Sequence, residues 1–448
     1  MANQIGKQAV VVGAGMGGLT AAKVLSAHFE HVTVLDRDSL PEKPGPRQGT
    51  PQARHTHVLL AGGQKALAEL LPSLERDLEG AGAVKMPVSH ILVERPGYDP
   101  FPQRDLGFDV LCMSRPLLEF RTRRRIEQET NISLRSRCRV TELVASSDGA
   151  AVTAVRVEDA EGQVETIATD LIVDASGRAA LTLALLEAVC IAKPDESEIG
   201  IDLAYSTAVF EIPDDAPTSW KALLHLPTAP HSSRGAFIFP IENERWIVTL
   251  TGNHGDACPG DIEGFMKFAK ELRTVTVYNA IRNAKQLGEI ARFVLPASVR
   301  RHFERLQQFP RGLIPIGDSI CRFNPVFGQG MSVAAQEAGV LGCLLVSRAE
   351  LPDPLDGLAP AFFAEIQDLL GAPWATAVND FVYPKTRGDR PPDFQQRLQY
   401  GIALVRLAAE DPSVHKTVTE VNHLLRPQSV LRDPALAERV KAVMMASA

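Results

Sequence analysis

A glycine-rich turn near the start of the chain constrains the fold more than any other feature. It reads Val11-Val12-Gly13-Ala14-Gly15-Met16-Gly17-Gly18-Leu19, with glycines spaced G-x-G-x-x-G. An apolar run over 8–12 precedes the turn and a segment with helical spacing over 19–29 follows it, which predicts a strand, a turn and a helix. A second apolar strand is expected over 32–35, ending at Asp36. The chain is therefore predicted to open with a β-α-β unit.

Each element of this pattern has a physical role toward a dinucleotide. Gly13 permits the tight turn, Gly15 lets the backbone approach a pyrophosphate, and Gly18 allows the helix to pack closely on the strand. The helix N-terminus offers free N–H groups to the phosphates. Asp36 is placed to accept from ribose hydroxyls, and an acid there argues against a 2′-phosphate, so FAD or NAD is favoured over NADP. The residues predicted to bind this end of the cofactor are Gly13, Ala14, Gly15, Met16, Gly18, Asp36 and Arg37.

A second glycine-containing turn decides between FAD and NAD. A buried strand over 313–316 ends in Gly-Asp, and a Pro- and Gly-containing loop then leads into a helix predicted over 331–346. Such a helix N-terminus suits a flavin ring, whose N1–C2=O edge gathers negative charge on reduction. FAD needs both ends held, whereas NAD needs no second site. The residues predicted at this end, with Asp318 on the ribityl hydroxyls, are Gly317, Asp318, Pro325, Gly328, Gly330 and Met331.

Composition excludes several classes of protein. The chain has 448 residues, 45% hydrophobic and 23% charged, which is typical of a globular protein, and its net charge of −7 argues against nucleic acid as a partner. Its six cysteines form no C-x-x-C pair, so buried free thiols, no metal site and a cytoplasmic location are expected. The most apolar later segment, 339–346, is far shorter than the roughly 20 residues of a spanning helix, so no integral membrane segment is predicted.

The predicted fold class is α/β, with a discontinuous Rossmann-like FAD-binding domain, an inserted antiparallel-sheet substrate domain and a helical C-terminal region. Alternating segments between about 203 and 250 predict an antiparallel sheet covered on one face. The predicted FAD-binding domain comprises 1–85, 111–190 and 295–360, the substrate domain 86–110 and 191–294, and the helical region 361–448.

Four motifs in this order resemble the single-component FAD monooxygenases of the p-hydroxybenzoate hydroxylase fold, the group A flavoprotein monooxygenases. They are the first glycine turn, Ser114-Arg115-Pro116-Leu117-Leu118-Glu119, Val173-Asp174-Ala175-Ser176-Gly177-Arg178, and Gly317-Asp318 with the loop through Met331. Within that superfamily, segments 49–57 and 373–388 look most similar to bacterial epoxidases and hydroxylases, including the epoxidases of polyether pathways.

The resemblance implies an FAD-dependent monooxygenase. In that family reduced flavin and O2 give a C4a-hydroperoxyflavin, which epoxidises or hydroxylates a largely apolar substrate such as a polyketide, an isoprenoid or an aromatic compound. It further implies that Arg115 lies near the FAD pyrophosphate or ribityl chain and that the backbone of Val140 contacts adenine. Ala175 replaces the glycine of the family's Asp-Gly motif, so NADPH or NADH could reduce the flavin directly or through a separate reductase.

Two groups of side chains are candidates for the reaction site. Arg47 and Arg54 lie in a polar loop over 39–56 and could bind an FAD phosphate or stabilise reduced flavin, with Arg54 as the candidate catalytic residue. The candidate pocket residues, each of which could equally be structural, are Phe237, Phe239, Trp374 and Tyr383.

Three other functions remain open from the sequence. A double-bond reductase of the geranylgeranyl reductase type uses the same FAD fold. A flavin-dependent halogenase is less favoured, because the chain has no Trp-x-Trp-x-Ile-Pro segment and no early lysine of the kind that family carries. A non-catalytic FAD-binding module is the last alternative.

Overall fold

The computed structural model describes residues 4–446. Its strands are β1 (Gly6–Val12), β2 (Phe29–Leu35), β3 (Val84–Pro87), β4 (Ile91–Glu94), β5 (Asp109–Cys112), β6 (Ile132–Arg135), β7 (Arg139–Ala145), β8 (Val152–Glu158), β9 (Val164–Ala168), β10 (Leu171–Asp174), β11 (Glu196–Glu211), β12 (Ala222–His225), β13 (Gly235–Ile241), β14 (Arg245–Gly252), β15 (Gln286–Arg301), β16 (Leu313–Pro315) and β17 (Cys321–Arg322). Its α-helices are α1 (Met16–Ser26), α2 (Ala61–Leu70), α3 (Leu74–Gly80), α4 (Arg115–Ile126), α5 (Ala180–Ala188), α6 (Ile262–Lys270), α7 (Thr276–Ile281), α8 (Gly330–Arg348), α9 (Leu358–Glu365), α10 (Gln367–Val378), α11 (Phe394–Glu410), α12 (Pro412–Asn422) and α13 (Pro434–Ala446).

Five parallel strands form the central sheet, in the order β16-β10-β1-β2-β6. The middle strands are continuous apolar runs because both faces of such a sheet are covered. Val12 lies opposite both Leu35 and Asp174, and Asp174 lies opposite Pro315. The carboxyl ends of these strands therefore meet at one edge, which is where ligands bind in open α/β sheets. The predicted α/β class with a Rossmann-like core is confirmed.

A second sheet of seven strands runs β17-β15-β11-β14-β13-β12-β4, antiparallel except where β12 meets β4. Every residue of β13 is buried. One face packs with α6 and α7 in a cluster that includes Trp246, and the other packs in a cluster that includes Phe237 and Phe239. The expectation of a sheet covered on one face is therefore wrong for the central strands, which are covered on both.

Two smaller sheets and a helical region complete the molecule. The strands β7-β8-β9 form a three-stranded antiparallel sheet, and β3 pairs with β5. After α8 the chain is helical, as predicted, and α11–α13 share an apolar cluster of their own that includes Phe101.

Some local expectations are wrong in their bounds. The predicted helix over 19–29 ends at Ser26, because β2 already begins at Phe29. The sequence also predicts one helix over 64–78, whereas the structure has two helices there, α2 and α3, with Pro72 between them. Four cysteines are buried free thiols as expected, whereas Cys190 and Cys343 are exposed.

Among residues 4–446, α8 is the one helix that is long and apolar enough to cross a membrane by length and composition alone. It packs against α1 and α2 over the central sheet. The core helix of a soluble protein passes the same test.

Candidate active site

The first glycine turn has the geometry that its sequence predicts. Gly13 has φ of +103°, and a Cβ on it would lie 2.7 Å from the carbonyl oxygen of Ala175. A Cβ on Gly18 would lie 1.8 Å from the carbonyl oxygen of Gly13. Side chains are excluded at both positions, because the backbones of the turn, of α1 and of the end of β10 lie too close together to leave room for a Cβ.

The N-terminus of α1 presents backbone donors without protein partners. The amides of Gly15, Met16 and Gly17 donate no hydrogen bond to a residue within 4–446. The helix has no side-chain cap and no acid in its first turn. Since the first N–H groups of a helix have no partner inside it, these amides and the positive end of the helix dipole suit an anion.

Asp36 lies beside this turn with its carboxylate already engaged. Its two oxygens accept from the amide of Ala14 at 2.7 Å, from the amide of Asp38 at 2.8 Å, and from Nη1 of Arg47 at 3.1 and 3.2 Å. A carboxylate has about four acceptor positions, so these donors fill it. A ribose hydroxyl at Asp36 would therefore have to replace Arg47 as a donor.

Arg47 joins the polar loop to the rest of the site through a buried ionic cluster. It also donates to Asp38 at 2.9 Å and, through Nε, to Glu119 at 2.7 Å, while Arg115 donates to the other oxygen of Glu119 at 3.0 Å. Burial opposes the charge of Arg47, but the carboxylates of Glu119 and Asp36 outweigh it and raise the pKa of Arg47. Nη2 of Arg47 has no hydrogen bond to a described residue. It would lie 3.8 Å from a Cβ on Gly15 and so is next to the first glycine turn.

The second turn lies at the same edge of the sheet, after β16. The carboxylate of Asp318 accepts no hydrogen bond from any residue between 4 and 446, and Oδ1 would lie 3.6 Å from a Cβ on Gly330, the first residue of α8. Burial raises the pKa of Asp318, and the charges of Arg322 and Arg115 partly offset this. An acceptor without a protein donor, next to an uncapped helix N-terminus, fits a ligand that carries hydroxyl groups.

The start of α8 has further polar atoms without partners. The amides of Gly330 and Met331 donate to no described residue, and the helix has no side-chain cap and no acid in its first turn. Oε1 of Gln329 is buried without a hydrogen-bond partner. With the first turn, these groups fit FAD at both ends, since both helix N-termini offer free donors along one sheet edge.

Two buried carboxyl groups near the second turn were missed by the sequence interpretation. Glu337, on α8, accepts from the amide of Gly317 at 2.6 Å, and burial raises its pKa to about 8. Asp380 accepts from Nδ2 of Asn324 at 2.9 Å, and burial raises its pKa to about 7. Glu337 is the one acid in the apolar run 331–346, which is a signal that the sequence offered. Asp380 lies within the segment 373–388 that carries the resemblance, but it was given no role of its own.

A small cavity of about 30 Å³ borders the loop between Asn324 and α8. Phe237 and Phe239, two of the candidate pocket residues, lie in its wall. Trp374 packs instead between two apolar clusters, and the Tyr383 hydroxyl donates to the carbonyl of Ser232 at 3.3 Å, so neither lies in this wall. The residues that line the cavity are Thr56, Val58, Tyr205, Leu224, Phe237, Phe239, Thr249, Pro325, Val326 and Gly328.

A larger cleft of about 500 Å³ lies at the opposite end of the central sheet. Leu171 and Leu313, the first residues of β10 and β16, lie in its wall. The carboxyl ends of the same strands face the glycine turns, so this cleft is remote from them.

The other predicted site residues lie around the first turn. Arg37 and Arg54 are exposed, and neither forms a hydrogen bond or ion pair with another residue in the described range. Val140 comes two residues after Cys138, whose amide donates to the carbonyl of Asp36 at 2.9 Å, so it lies near the carboxyl end of β2. Asp174 is fully buried and accepts from Thr182 at 2.6 Å, which gives this acid a structural role.

Comparisons with known proteins identify the fold of the chain. No family model matches the sequence. The flavin-dependent brominase Bmp2 superposes with a TM-score of 0.68 at 14% identity, covering 93% of both chains. PqsL from Pseudomonas aeruginosa, a probable FAD-dependent monooxygenase, superposes with a TM-score of 0.62 at 16% identity, covering 84% of this chain and 96% of its own. The chain has the fold of these flavin-dependent enzymes.

One curated relative is close enough to show the family. Protein Rv3254 of Mycobacterium tuberculosis is identical at 32% of 361 aligned residues, which cover 76% of this chain and 73% of the relative. The chain therefore belongs to the same protein family as Rv3254 of Mycobacterium tuberculosis.

Proposed function

We propose that the protein is an FAD-dependent monooxygenase that hydroxylates or epoxidises a largely apolar organic substrate. The observation that carries the proposal is the pair of uncapped, glycine-lined helix N-termini, α1 and α8, at one edge of the parallel sheet. One suits a pyrophosphate and the other the electron-rich edge of a flavin ring. The fold shared with Bmp2 and PqsL, both named for flavin chemistry, supports the same assignment.

The chain's own residues would bind the cofactor, orient the substrate and exclude water from the site. The amides of Gly15, Met16 and Gly17 would hold the pyrophosphate together with Nη2 of Arg47, and Asp318 would accept from ribityl hydroxyls. Bound FAD supplies the activation of O2, which protein side chains do not provide. The apolar wall around Phe237 and Phe239 would orient the substrate and keep water from the reacting atoms.

The overall reaction balances with one reduced nicotinamide nucleotide. Substrate, O2, NAD(P)H and one proton give the oxygenated substrate, NAD(P)⁺ and water. Asp174 is buried and Ala175 stands where the resembling family has glycine, so the route of the electrons is open between direct reduction and a separate flavin reductase.

Anaerobic reduction followed by oxygenation tests the proposal. We expect the purified protein to hold FAD and to be reduced by NADH, NADPH or an added reductase. With an accepted alkene or aromatic compound and labelled O2, one oxygen atom should enter the product; an alkene that yields an epoxide would support the polyether-type epoxidase subtype. A protein without FAD, or one that releases only peroxide across a broad panel, would contradict the proposal.

Halogenation is the second candidate, supported by the fold shared with the brominase Bmp2. The missing Trp-x-Trp-x-Ile-Pro segment favours oxygenation. Adding bromide or chloride to the same assay separates the two, because a halogenase forms its product only with halide. A product formed under anaerobic conditions would instead indicate a double-bond reductase.

A further inference from the structure

The cavity beside the second turn has an apolar wall and a polar wall. Its apolar side includes Phe237, Phe239 and Leu224, and three polar side chains, Tyr205, Thr249 and Thr56, also lie in the wall. Its volume of about 30 Å³ is room for one or two water-sized groups. As formed, the cavity therefore fits the oxygen-bearing end of a ligand rather than a whole organic molecule.

The threonines of the polar wall continue into a buried chain of hydrogen bonds. Thr56 and Thr249 lie 2.7 Å apart through their hydroxyl oxygens, and Thr249 and Thr207 are separated by the same 2.7 Å. Thr207 in turn lies 2.7 Å from Nδ1 of His55. Thr207 and Thr249 are direct partners across β11 and β14, so the sheet register fixes their contact. The chain runs from the cavity wall to a buried histidine.

Two polar atoms next to this chain have no hydrogen-bond partner. The Tyr205 hydroxyl is buried and has no hydrogen-bond partner, and Tyr205 lies in the cavity wall. Nε2 of His55 is also buried and unpaired, with the His55 ring centroid 5.6 Å from that of Tyr205. Leaving a buried hydroxyl unpaired costs free energy comparable with a lost hydrogen bond, which a ligand oxygen in the cavity would recover.

The buried histidine orients the chain rather than accepting a proton through it. Burial and the charge of Arg54 lower the pKa of His55 to about 4, so its ring is neutral at neutral pH. A phenolic ligand has a pKa near 10 in water, about six units above the pKa of His55. Transfer of the ligand's proton to the His55 ring is therefore disfavoured roughly a millionfold. Because neutral imidazole can donate or accept at Nδ1, the chain can run in either direction and meet a hydroxyl or a carbonyl.

We propose that Thr249, Thr56 and Tyr205 form a binding site for one oxygen atom of the substrate, which is thus an apolar molecule that carries a hydroxyl or carbonyl group. The inference depends on the proposed oxygenation, because it names the substrate class of the same site. Thr207 and His55 are positioning residues that hold the hydroxyl of Thr249 in place.

Calorimetric titration of the full-length protein with two matched probes tests this site. The probes are 4-methylphenol and 1,4-dimethylbenzene, which differ by a hydroxyl in place of a methyl group. We expect the phenol to bind at least about tenfold more tightly. Thr249→Val should reduce this preference to about onefold, and Thr249→Ser, which restores the hydroxyl, should keep it.

Thr251→Val is the matched control, because Thr251 lies on the same strand and face but outside the cavity wall and the hydroxyl chain. It should keep the preference of the unsubstituted protein. Equal binding of the two probes, no binding of either, or a preference that survives Thr249→Val in folded protein would overturn the proposal.

FAD content, measured in the same samples, separates the two proposals. Probe selectivity in a protein without FAD would refute only the monooxygenase assignment. An FAD-containing oxygenase without selectivity would refute only the oxygen-binding site.

Discussion

At the scale of single residues, two neighbouring glycines at the start of α1 have opposite tolerance for a methyl group. A Cβ on Gly18 would lie 1.8 Å from a backbone oxygen, whereas a Cβ on Gly17 meets side-chain atoms no nearer than 3.5 Å. Gly18→Ala should therefore cost more than about 2 kcal/mol of unfolding free energy and abolish FAD retention. Gly17→Ala should change stability by less than about 0.5 kcal/mol and keep FAD. Urea unfolding and flavin absorbance check both; equal effects would contradict the close packing.

Arg47 offers a second test at this scale, because it is the shared cation of three carboxylates, of which Asp36 and Asp38 are buried and Glu119 is partly buried. Arg47→Met keeps most of the side-chain volume but leaves Asp36, Asp38 and Glu119 without that partner. Removing one partner from a buried ionic group should lower the unfolding free energy by about 3 kcal/mol. Arg37→Met, at an exposed position of the same segment, is the control and should have almost no effect in the same denaturation experiment. A similar small loss for both variants would mean that the cluster contributes little.

Which residues could be predicted depended on how local their roles are. Gly13, Gly18 and Asp36 follow from one contiguous motif, so their positions could be read from spacing. The hydrogen bonds from Arg47 to the Asp36 carboxylate and the exposure of Arg54 were not predictable in this way. Both depend on the path of the loop over 39–56, which no local pattern specifies.

At the scale of elements, α8 contains a buried acid whose protonation should couple stability to pH. The pKa of Glu337 is raised to about 8 from an ordinary value of 4.5. Between these values the folded state holds a proton that the unfolded state releases, so stability is greatest below about pH 4.5 and falls as pH rises through 8. The slope from this group is about 1.4 kcal/mol per pH unit.

Glu337→Gln, which mimics the protonated side chain, isolates this contribution. Unfolding free energies of both proteins between pH 5 and pH 8 should diverge, with the variant gaining on the parent as pH rises. Other titrating groups cancel in the difference. Parallel curves would show that Glu337 is ionised in the folded protein.

Element types were predictable, and element ends were less so. The apolar periodicity predicts one helix over 64–78, but it carries no information on the break at Pro72, which separates α2 from α3. Alternation in β13 and β14 predicted strands correctly, but an apolar residue facing α6 and one facing Phe237 look alike in sequence. Burial of both faces is a property of what packs on the sheet, and that comes from distant segments.

At the scale of the whole molecule, the position of the C-terminal helices against the rest of the protein could not be predicted from the sequence. Their helicity follows from local spacing, but their docking depends on a backbone contact. The amide of Gly62 donates to the carbonyl of His423 at 2.8 Å, and a Cβ on Gly62 would lie 2.3 Å from the carbonyl oxygen of Leu424. Because α2 also packs on α8, this contact links the C-terminal region to the second turn of the candidate active site.

His423 makes this docking sensitive to acid. Burial lowers its pKa to about 4 from 6.5, so between these values the unfolded state binds a proton that the folded state does not. Stability from this group is complete above about pH 6.5 and falls by up to about 3 kcal/mol as pH drops to 4. Hydrogen exchange over 394–446 should therefore accelerate between pH 7 and pH 4.5, after correction for intrinsic rates, and His423→Gln should weaken this dependence. His31→Gln, at an exposed position, should leave it unchanged; an unaltered dependence in His423→Gln would show that other groups control docking.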